Sequence, residues 1–189
     1  MLNEKVICAG FGGQGVMSIG QLLAYGGMLD NHNVTWLPSY GPEMRGGTAY
    51  CSVMISKEPV GSPVISRDAT SAIVMNLPSL RKFESYVISG GDLLINSSMV
   101  SELAERDDLN CYYIPANDIA KECGSDRAAN MVMLGAYLAI HPVVSQASVK
   151  KAFLKVFGDK AEKLLELNMS AIEGGAASVR DTLRLNRAA

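Results

Sequence analysis

The sequence is poor in the residues that metal and redox sites require. Its four cysteines stand at positions 8, 51, 111 and 123, and no two of them form a CxxC pair. This spacing fits neither a structural zinc site nor a ferredoxin-type cluster motif. The two histidines, His32 and His141, have no Cys, Asp or Glu at metal-ligand spacing. We therefore expect no metal site in this chain, and cysteines that remain reduced and pack as small apolar side chains.

Charged residues and long apolar runs are also scarce. Only 19% of the 189 residues are charged, and the formal net charge is −2, which gives no reason to expect binding to nucleic acid or to an anionic membrane. No run approaches the ~20 apolar residues of a membrane span, and Asn3–Lys5 interrupts the place where a signal peptide would be apolar. We expect one cytoplasmic domain over residues 1–189, with a core at 4–175 and a helical tail at 176–189.

Strand and helix patterns alternate along most of the chain, as in α/β proteins. They predict a Rossmann-like three-layer sandwich with a mostly parallel central sheet, helices on both faces and an antiparallel hairpin excursion, formed by Ala49–Ile55 with a partner strand around Val60–Ile65. Other strands are expected at 6–9, 34–37, 72–75, 93–95 and 111–114. Helices are expected at 16–26, 80–86, 99–105, 128–140, from the cap Ser145 to Gly158, and from 160 to 173, where Gly174–Gly175 would end the last one.

The strongest local signal is a glycine loop, Gly10–Phe11–Gly12–Gly13–Gln14–Gly15, between the first strand and the first helix. In that context glycines permit tight turns and a close approach of a ligand to the backbone. The N–H groups and the positive dipole at the helix start favour a phosphate or pyrophosphate. The alternative is that the glycines only allow tight packing of strand on helix, but four glycines in six residues exceed that need.

The type of phosphate ligand is narrowed by two missing features. A dinucleotide site expects a carboxylate at the end of the second strand, and Leu37–Tyr40 supplies none. A Walker loop expects Lys and Ser or Thr after the last glycine, where this chain has Val16–Met17. The glycine loop is therefore still expected to bind an anion, but not to be specific for NAD. A free-standing nucleotide-dependent oxidoreductase becomes the less favoured alternative.

A second loop follows the second strand and is expected at the same edge of the sheet as the glycine loop. Its Glu43 and Arg45 lie between glycines, and the planar guanidinium of Arg45 suits a phosphate or a carboxylate. An ordinary surface ion pair is the alternative. Asn130, at the start of a buried helix, is a further candidate as a cap or as a polar group facing the cleft, whereas Asn76 is more typical of a turn. No catalytic constellation is recognisable.

These motifs together resemble one family. GFGGQG after the first strand, SYGPEMRGG at Ser39–Gly47, PVGSPVI at Pro59–Ile65 and the stretch Arg127–Met131 are similar to the gamma subunit or gamma domain of the pyruvate/2-oxoglutarate/2-oxoisovalerate:ferredoxin oxidoreductases. The resemblance covers about residues 4 to 175, and its paired motifs are far more specific than a lone GxGxxG.

The resemblance implies a subunit of a complex that cleaves a 2-oxoacid with thiamine diphosphate, passes the acyl group to coenzyme A and sends electrons through iron–sulfur clusters to ferredoxin. Thiamine diphosphate and the clusters would lie on partner subunits, namely alpha, beta and a ferredoxin-like delta. This chain would help to bind coenzyme A and to assemble the complex, without catalytic residues of its own. 2-Oxoglutarate is the preferred substrate on overall resemblance. An assembly-only subunit remains the other alternative. The expected cofactor-binding residues are Gly10, Gly12, Gly13, Gln14, Gly15, Ser39, Tyr40, Gly41, Glu43, Arg45, Gly46 and Asn130.

Overall fold

The computed structural model describes residues 2–40, 48–158 and 161–188. Within them the strands are β1 (Asn3–Phe11), β2 (Asn33–Tyr40), β3 (Thr48–Ser56), β4 (Ala69–Val74), β5 (Val87–Asn96) and β6 (Asn110–Ile114). The helices are α1 (Val16–Leu29), α2 (Leu77–Phe83), α3 (Ala116–Glu122), α4 (Ala129–Ile140), α5 (Gln146–Phe157) and α6 (Ala161–Ala188). Short 3₁₀ turns at Glu84–Tyr86 and Asp126–Ala128 precede β5 and α4.

The strands form one mixed sheet in the order β2-β3-β1-β4-β5-β6. Strands β1, β4, β5 and β6 are parallel, whereas β3 is antiparallel to both β1 and β2. This confirms the α/β class with its mostly parallel sheet and antiparallel excursion. The expected partner strand at Val60–Ile65 was wrong, because these residues form no strand. Both edges of β3 are already paired with β1 and β2, and Pro59 and Pro63 have no N–H to donate to a ladder.

Apolar side chains are buried on both faces of the sheet. One core contains residues of α1, α3, α4, α5 and α6, and a smaller core on the other face contains Leu80 and Phe83 of α2. The predicted three-layer arrangement is therefore present but unequal. Ser145 caps α5 as expected, because its hydroxyl accepts the N–H of Ser148 at 3.2 Å. Among the described helices, none combines the length and the apolar character needed to cross a membrane.

Two helix predictions were wrong. Residues 99–105 contain only a turn, in which Met99 and Val100 both donate to the carbonyl of Asn96. The N–H of Ala104 then bonds to the hydroxyl of Tyr113 at 2.9 Å, so no helical ladder continues. The helix expected to stop at Gly174–Gly175 instead runs on to Ala188 as α6. These glycines lie in a helix crossing, where a Cβ on Gly175 would be 1.8 Å from the carbonyl oxygen of Val132 on α4.

Candidate functional site

The glycine loop is the tight connection between β1 and α1. The N–H of Gln14 donates to the carbonyl of Phe11 at 3.1 Å and closes the turn. Gly13 and Gly15 adopt φ values of 98° and 75°, in the left-handed region that side chains avoid. The loop therefore requires glycine at these two positions for its shape, before any ligand is considered.

The start of α1 is open to an anion. Gly15 is its N-cap and supplies no side-chain acceptor, and the first turn contains no acidic residue. The first N–H groups of a helix have no partner inside the helix, and they add to the positive end of its dipole. A cavity of about 210 Å³ adjoins them, lined by Phe11, Gly12, Gly13, Gly15, Val16, Met17 and Ala49. The described residues of its lining include no carboxylate, so the cavity suits a phosphate group.

Gln14 turns its side chain into the protein and braces the loop. Its Oε1 accepts the N–H of Phe11 at 2.7 Å and the amide of Asn76 at 2.9 Å, and its Nε2 donates to the carbonyl of Met75 at 3.4 Å. The loop is thereby tied to the end of β4 and the start of α2. The side chain of Gln14 thus serves to position the loop, and its amide group is occupied by these contacts within the protein.

Gly10 belongs to the same brace. It is buried at the end of β1, and a Cβ there would come within 2.8 Å of the Oε1 of Gln14 and 3.0 Å of Met75. Gly10 therefore makes room for the Gln14 amide. Asn76 is the N-cap of α2, where its side chain accepts the N–H of Ser79 at 2.9 Å, which agrees with the turn-forming interpretation.

Asn130 meets the glycine loop from the other side. It lies in the first turn of α4, is 8% exposed, and donates from Nδ2 to the carbonyl of Gly15 at 3.3 Å. A Cβ on Gly15 would be 2.3 Å from that nitrogen, so the contact needs glycine for space as well as for φ. The structure brings Asn130 to the site although 115 residues separate it from Gly15.

The second loop begins at the same edge of the sheet as the glycine loop. Tyr40, at the end of β2, pairs with Ala49, and Phe11, at the end of β1, pairs with Thr48. Ser39 and Tyr40 therefore flank the start of β3 opposite the glycine loop, and Ala49 also lines the small cavity. The other residues predicted for this loop, Gly41, Glu43, Arg45 and Gly46, lie outside the described residues.

A second cavity, of about 440 Å³, adjoins Asn130 and was not foreseen from the sequence. It lies among α4, α5 and α6, with Arg127 in its lining. The one sequence feature that could have indicated this cavity is the position of Arg127 just before the buried helix α4. The other lining side chains come from helices that are far apart in the sequence, so no local motif predicts that they meet.

An ionic cluster at the amino edge of the sheet was also missed. The Nε2 of His141 lies 2.8 Å from Asp92 Oδ2, and its Nδ1 lies 3.6 Å from Glu4 Oε1. Burial lowers the pKa of His141, but the two carboxylates outweigh burial and raise that pKa to about 9. The imidazole also stacks on Tyr137, with ring centroids 5.0 Å apart. The cluster links the end of α4 to two strands and lies away from the glycine loop.

Cys8 and Cys51 are free and fully buried, as expected, while Cys111 is half-buried. Cys51 lies opposite Cys8 in the β1–β3 pair and donates from Sγ to the carbonyl of Val16 at 3.5 Å. Among the described side chains, those of residues 2–39, 48–158 and 161–180, no group of three His, Cys, Asp or Glu could hold a metal ion.

Comparison with known sequences gives a consistent assignment. The family model described as pyruvate ferredoxin/flavodoxin oxidoreductase matches residues 5–178. The ketoisovalerate oxidoreductase subunit VorA of Methanothermobacter marburgensis is 39% identical over 181 residues, which cover 95% of this chain and 37% of VorA. The 2-oxoglutarate synthase subunit KorC of Methanocaldococcus jannaschii is 34% identical over 157 residues, covering 81% of this chain and 83% of KorC. The chain thus spans little more than a third of the VorA relatives.

Solved structures share the fold over nearly the whole chain. The gamma subunit of a keto/oxoacid ferredoxin oxidoreductase from Geobacter sulfurreducens PCA superposes with a TM-score of 0.80 at 27% identity, covering 94% of this chain and 99% of that one. The 2-oxoglutarate:ferredoxin oxidoreductase of Magnetococcus marinus, solved with 2-oxoglutarate, coenzyme A and succinyl-CoA bound, gives a TM-score of 0.86 at 24% identity. That match covers 96% of this chain and 32% of the other, and it supports the fold alone.

Proposed function

Since the chain belongs to the pyruvate ferredoxin/flavodoxin oxidoreductase family, we propose that it is the gamma-type subunit of a 2-oxoacid:ferredoxin oxidoreductase complex. The complex would decarboxylate a 2-oxoacid oxidatively and release the acyl group as a thioester of coenzyme A. The family match over residues 5–178 and the likeness to an isolated gamma subunit support this role. Thiamine diphosphate and iron–sulfur clusters would reside on alpha, beta and delta partners, and ferredoxin would accept the electrons.

The observation that carries the proposal is the uncapped start of α1 beside the 210 Å³ cavity. Coenzyme A contains a diphosphate, and this place offers N–H donors, a positive helix end and no side chain at Gly12, Gly13 or Gly15. The residues therefore fit the group. The backbone N–H groups of Gly12, Gly13 and the first turn of α1 would hold the diphosphate. Bound coenzyme A supplies the thiol that accepts the acyl group.

Residues around the loop would determine how well it is preorganised for this ligand. Gln14 fixes the turn through Phe11 and Asn76, and Asn130 fixes the N-cap of α1 through the carbonyl of Gly15. Holding the donors in place before binding lowers the entropic cost of capturing the ligand. Gly10 takes part by leaving space for the brace.

The second loop would close the site from the side of β2. Ser39 and Tyr40 precede it, and Tyr40 pairs with Ala49, which lines the small cavity. Arg45 would add a guanidinium for a phosphate, with Glu43 as its neighbour. Gly41 and Gly46 would allow the loop to turn. Gly41, Glu43, Arg45 and Gly46 are thus proposed as contacts to the ligand or to a partner subunit.

The 2-oxoacid itself has two candidates. The KorC relatives are named as subunits of 2-oxoglutarate synthase, which agrees with 2-oxoglutarate as the preferred substrate, and the match to KorC of Methanocaldococcus jannaschii covers 83% of its length. The VorA relatives are named for ketoisovalerate and share a higher identity, 39% against 34%. Substrate contacts would lie mainly on partner subunits, so the complex itself has to be assayed with both acids.

A pull-down of the tagged chain from extract of its source cells tests the proposal. The expected result is co-purification of thiamine- and cluster-bearing subunits, with viologen reduction that depends on a 2-oxoacid and on coenzyme A. Rates with 2-oxoglutarate and ketoisovalerate then identify the substrate. A complex that forms tightly, but whose dependence on coenzyme A does not change when the glycine loop of this chain is altered, would favour the assembly-only role. A lone chain that binds a dinucleotide would revive the free-standing oxidoreductase.

A further inference from the structure

The 440 Å³ cavity beside Asn130, hereafter the Arg127 cavity, has the size and lining of a small-molecule site. Ligand pockets typically measure about 300–1,000 Å³ and combine apolar walls with a few polar groups. The apolar walls here include Phe153, Phe157 and Leu164, and the polar groups include Arg127, Asn130 and Asn168. No acidic side chain is present among its described lining residues.

The aromatic wall suits a flat ring. Phe153 and Phe157 lie one helical turn apart on α5, with ring centroids 4.5 Å apart. Phe153 is buried and holds the pair in the core, while Phe157 remains partly exposed at the cavity. Asn168, on the facing helix α6, uses its amide N–H for the carbonyl of Leu164 at 2.7 Å. Its carbonyl oxygen is not used in that bond and suits an exocyclic amino group.

The guanidinium of Arg127 suits a phosphate group. Arg127 is exposed at the 3₁₀ turn before α4, where its backbone N–H donates to the hydroxyl of Ser125 at 3.3 Å. Its guanidinium forms no ion pair with a carboxylate among the side chains that the structure describes, those of residues 2–39, 48–158 and 161–180. A guanidinium recognises phosphate through paired N–H donors, and an unpaired one needs no partner to be displaced first.

One side chain, that of Asn130, lies between the Arg127 cavity and the glycine loop. Asn130 lines the cavity and donates to the carbonyl of Gly15, the N-cap of α1. A ligand whose diphosphate lies at the start of α1 therefore has this cavity as its neighbour. Coenzyme A has such a shape, because an adenosine with a 3′-phosphate follows its diphosphate.

We infer that the Arg127 cavity binds the adenosine 3′-phosphate end of coenzyme A, with the base against Phe157 and the 3′-phosphate on Arg127. This assignment rests on the proposed function and deepens it, because it specifies which residues distinguish coenzyme A from related thiols. Arg127 is then a specificity-determining residue for the 3′-phosphate. The glycine loop, in contrast, recognises the diphosphate that all such cofactors share.

The test compares coenzyme A with 3′-dephospho-coenzyme A in the purified complex. The native complex is expected to show a KM for coenzyme A roughly tenfold lower than for the dephospho form. In Arg127→Ala the KM for coenzyme A should rise roughly tenfold, while the KM for the dephospho form stays unchanged, so that the preference disappears. Phe157→Ala should raise both KM values together.

Arg67→Ala is the matched control, since it removes another exposed arginine, in the connection that leads to β4 at the opposite edge of the sheet. It should leave both KM values as in the native complex. A native complex without preference, or an Arg127→Ala complex that keeps the full preference, would overturn the assignment while leaving coenzyme A dependence intact. A complex with no dependence on coenzyme A would overturn the proposed function as well. Melting temperatures close to native show that Arg127→Ala folds.

Discussion

The crossing of α6 over α4 makes Gly175→Ala a sharp test of the packing. An ideal Cβ on Gly175 would lie 1.8 Å from the carbonyl oxygen of Val132. Across the same crossing, a Cβ on Gly135 would lie 1.9 Å from the carbonyl oxygen of Ile172. Both obstacles are backbone atoms inside helices, so neither can rotate away as a side chain would. An added methyl group must push the two helices apart.

Two opposing effects decide whether Gly175→Ala raises or lowers the free energy of unfolding. Replacing glycine by alanine inside a helix contributes up to about 1 kcal/mol of stability. Overpacking a core typically costs about 1–3 kcal/mol, and here the contact would be more than 1 Å too short, which puts the cost at or above the upper end. We therefore expect Gly175→Ala to lower the free energy of unfolding by about 2 kcal/mol. For a chain of this size, the melting temperature would fall by roughly 5 °C.

The neighbouring glycine provides the control. A Cβ on Gly174 would meet Cγ2 of Ile119 at 2.8 Å, and that side-chain atom can shift. Gly174→Ala should therefore stay within about 1 kcal/mol of native stability, because the helix gain offsets the adjustment. Gly61→Ala, with no described atom within 4 Å of its Cβ, should be neutral. Thermal and denaturant unfolding of the three variants measures these differences, and equal stability of Gly174→Ala and Gly175→Ala would refute the helix crossing.

Two further predictions concern the brace and the ionic cluster. Gln14→Ala leaves the N–H of Phe11 without its acceptor, so the free energy of unfolding should fall by about 1 kcal/mol and the KM for coenzyme A should rise several-fold. Gln14→Glu keeps the acceptor and should retain the stability. An alanine variant with unchanged stability and unchanged KM would remove Gln14 from the site. The pKa of His141 rises from 6.5 to about 9 on folding, so the stabilisation from Asp92 and Glu4 is complete below pH 6.5 and is lost as pH rises through 9. It amounts to roughly 3 kcal/mol. His141→Gln should abolish that pH dependence in denaturant unfolding, whereas the same dependence in the variant would contradict the cluster.

The sequence was sufficient for the parts of the fold that depend on local patterns. Apolar runs located the parallel strands, and the strand–glycine–helix order located the glycine loop and the start of α1. Ser145 was recognised as a cap because capping is a property of a few adjacent residues. The family resemblance rested on the same local motifs, and the match over residues 5–178 confirms it.

Features that depend on distant partners were not foreseen. Gly174–Gly175 reads locally as a helix stop, and only the presence of α4 explains why α6 passes through it. The pattern of Val60–Ile65 predicts a strand, but β3 is paired on both sides with β1 and β2. The inward turn of the Gln14 side chain depends on Met75 and Asn76, more than 60 residues away. Such choices are made by tertiary packing, which local propensity does not encode.

The most direct test of the account is the charge at Gly13 in the purified complex. No described atom lies within 4 Å of an added Cβ there, and its φ of 98° is tolerated better by Asn and Asp than by other side chains. Gly13→Asn and Gly13→Asp therefore differ mainly in one negative charge at the proposed diphosphate site. We predict a KM for coenzyme A at least roughly tenfold higher in the aspartate variant than in the asparagine variant, with the same KM for the 2-oxoacid in both. Equal KM values for coenzyme A would show that the glycine loop does not hold its phosphates.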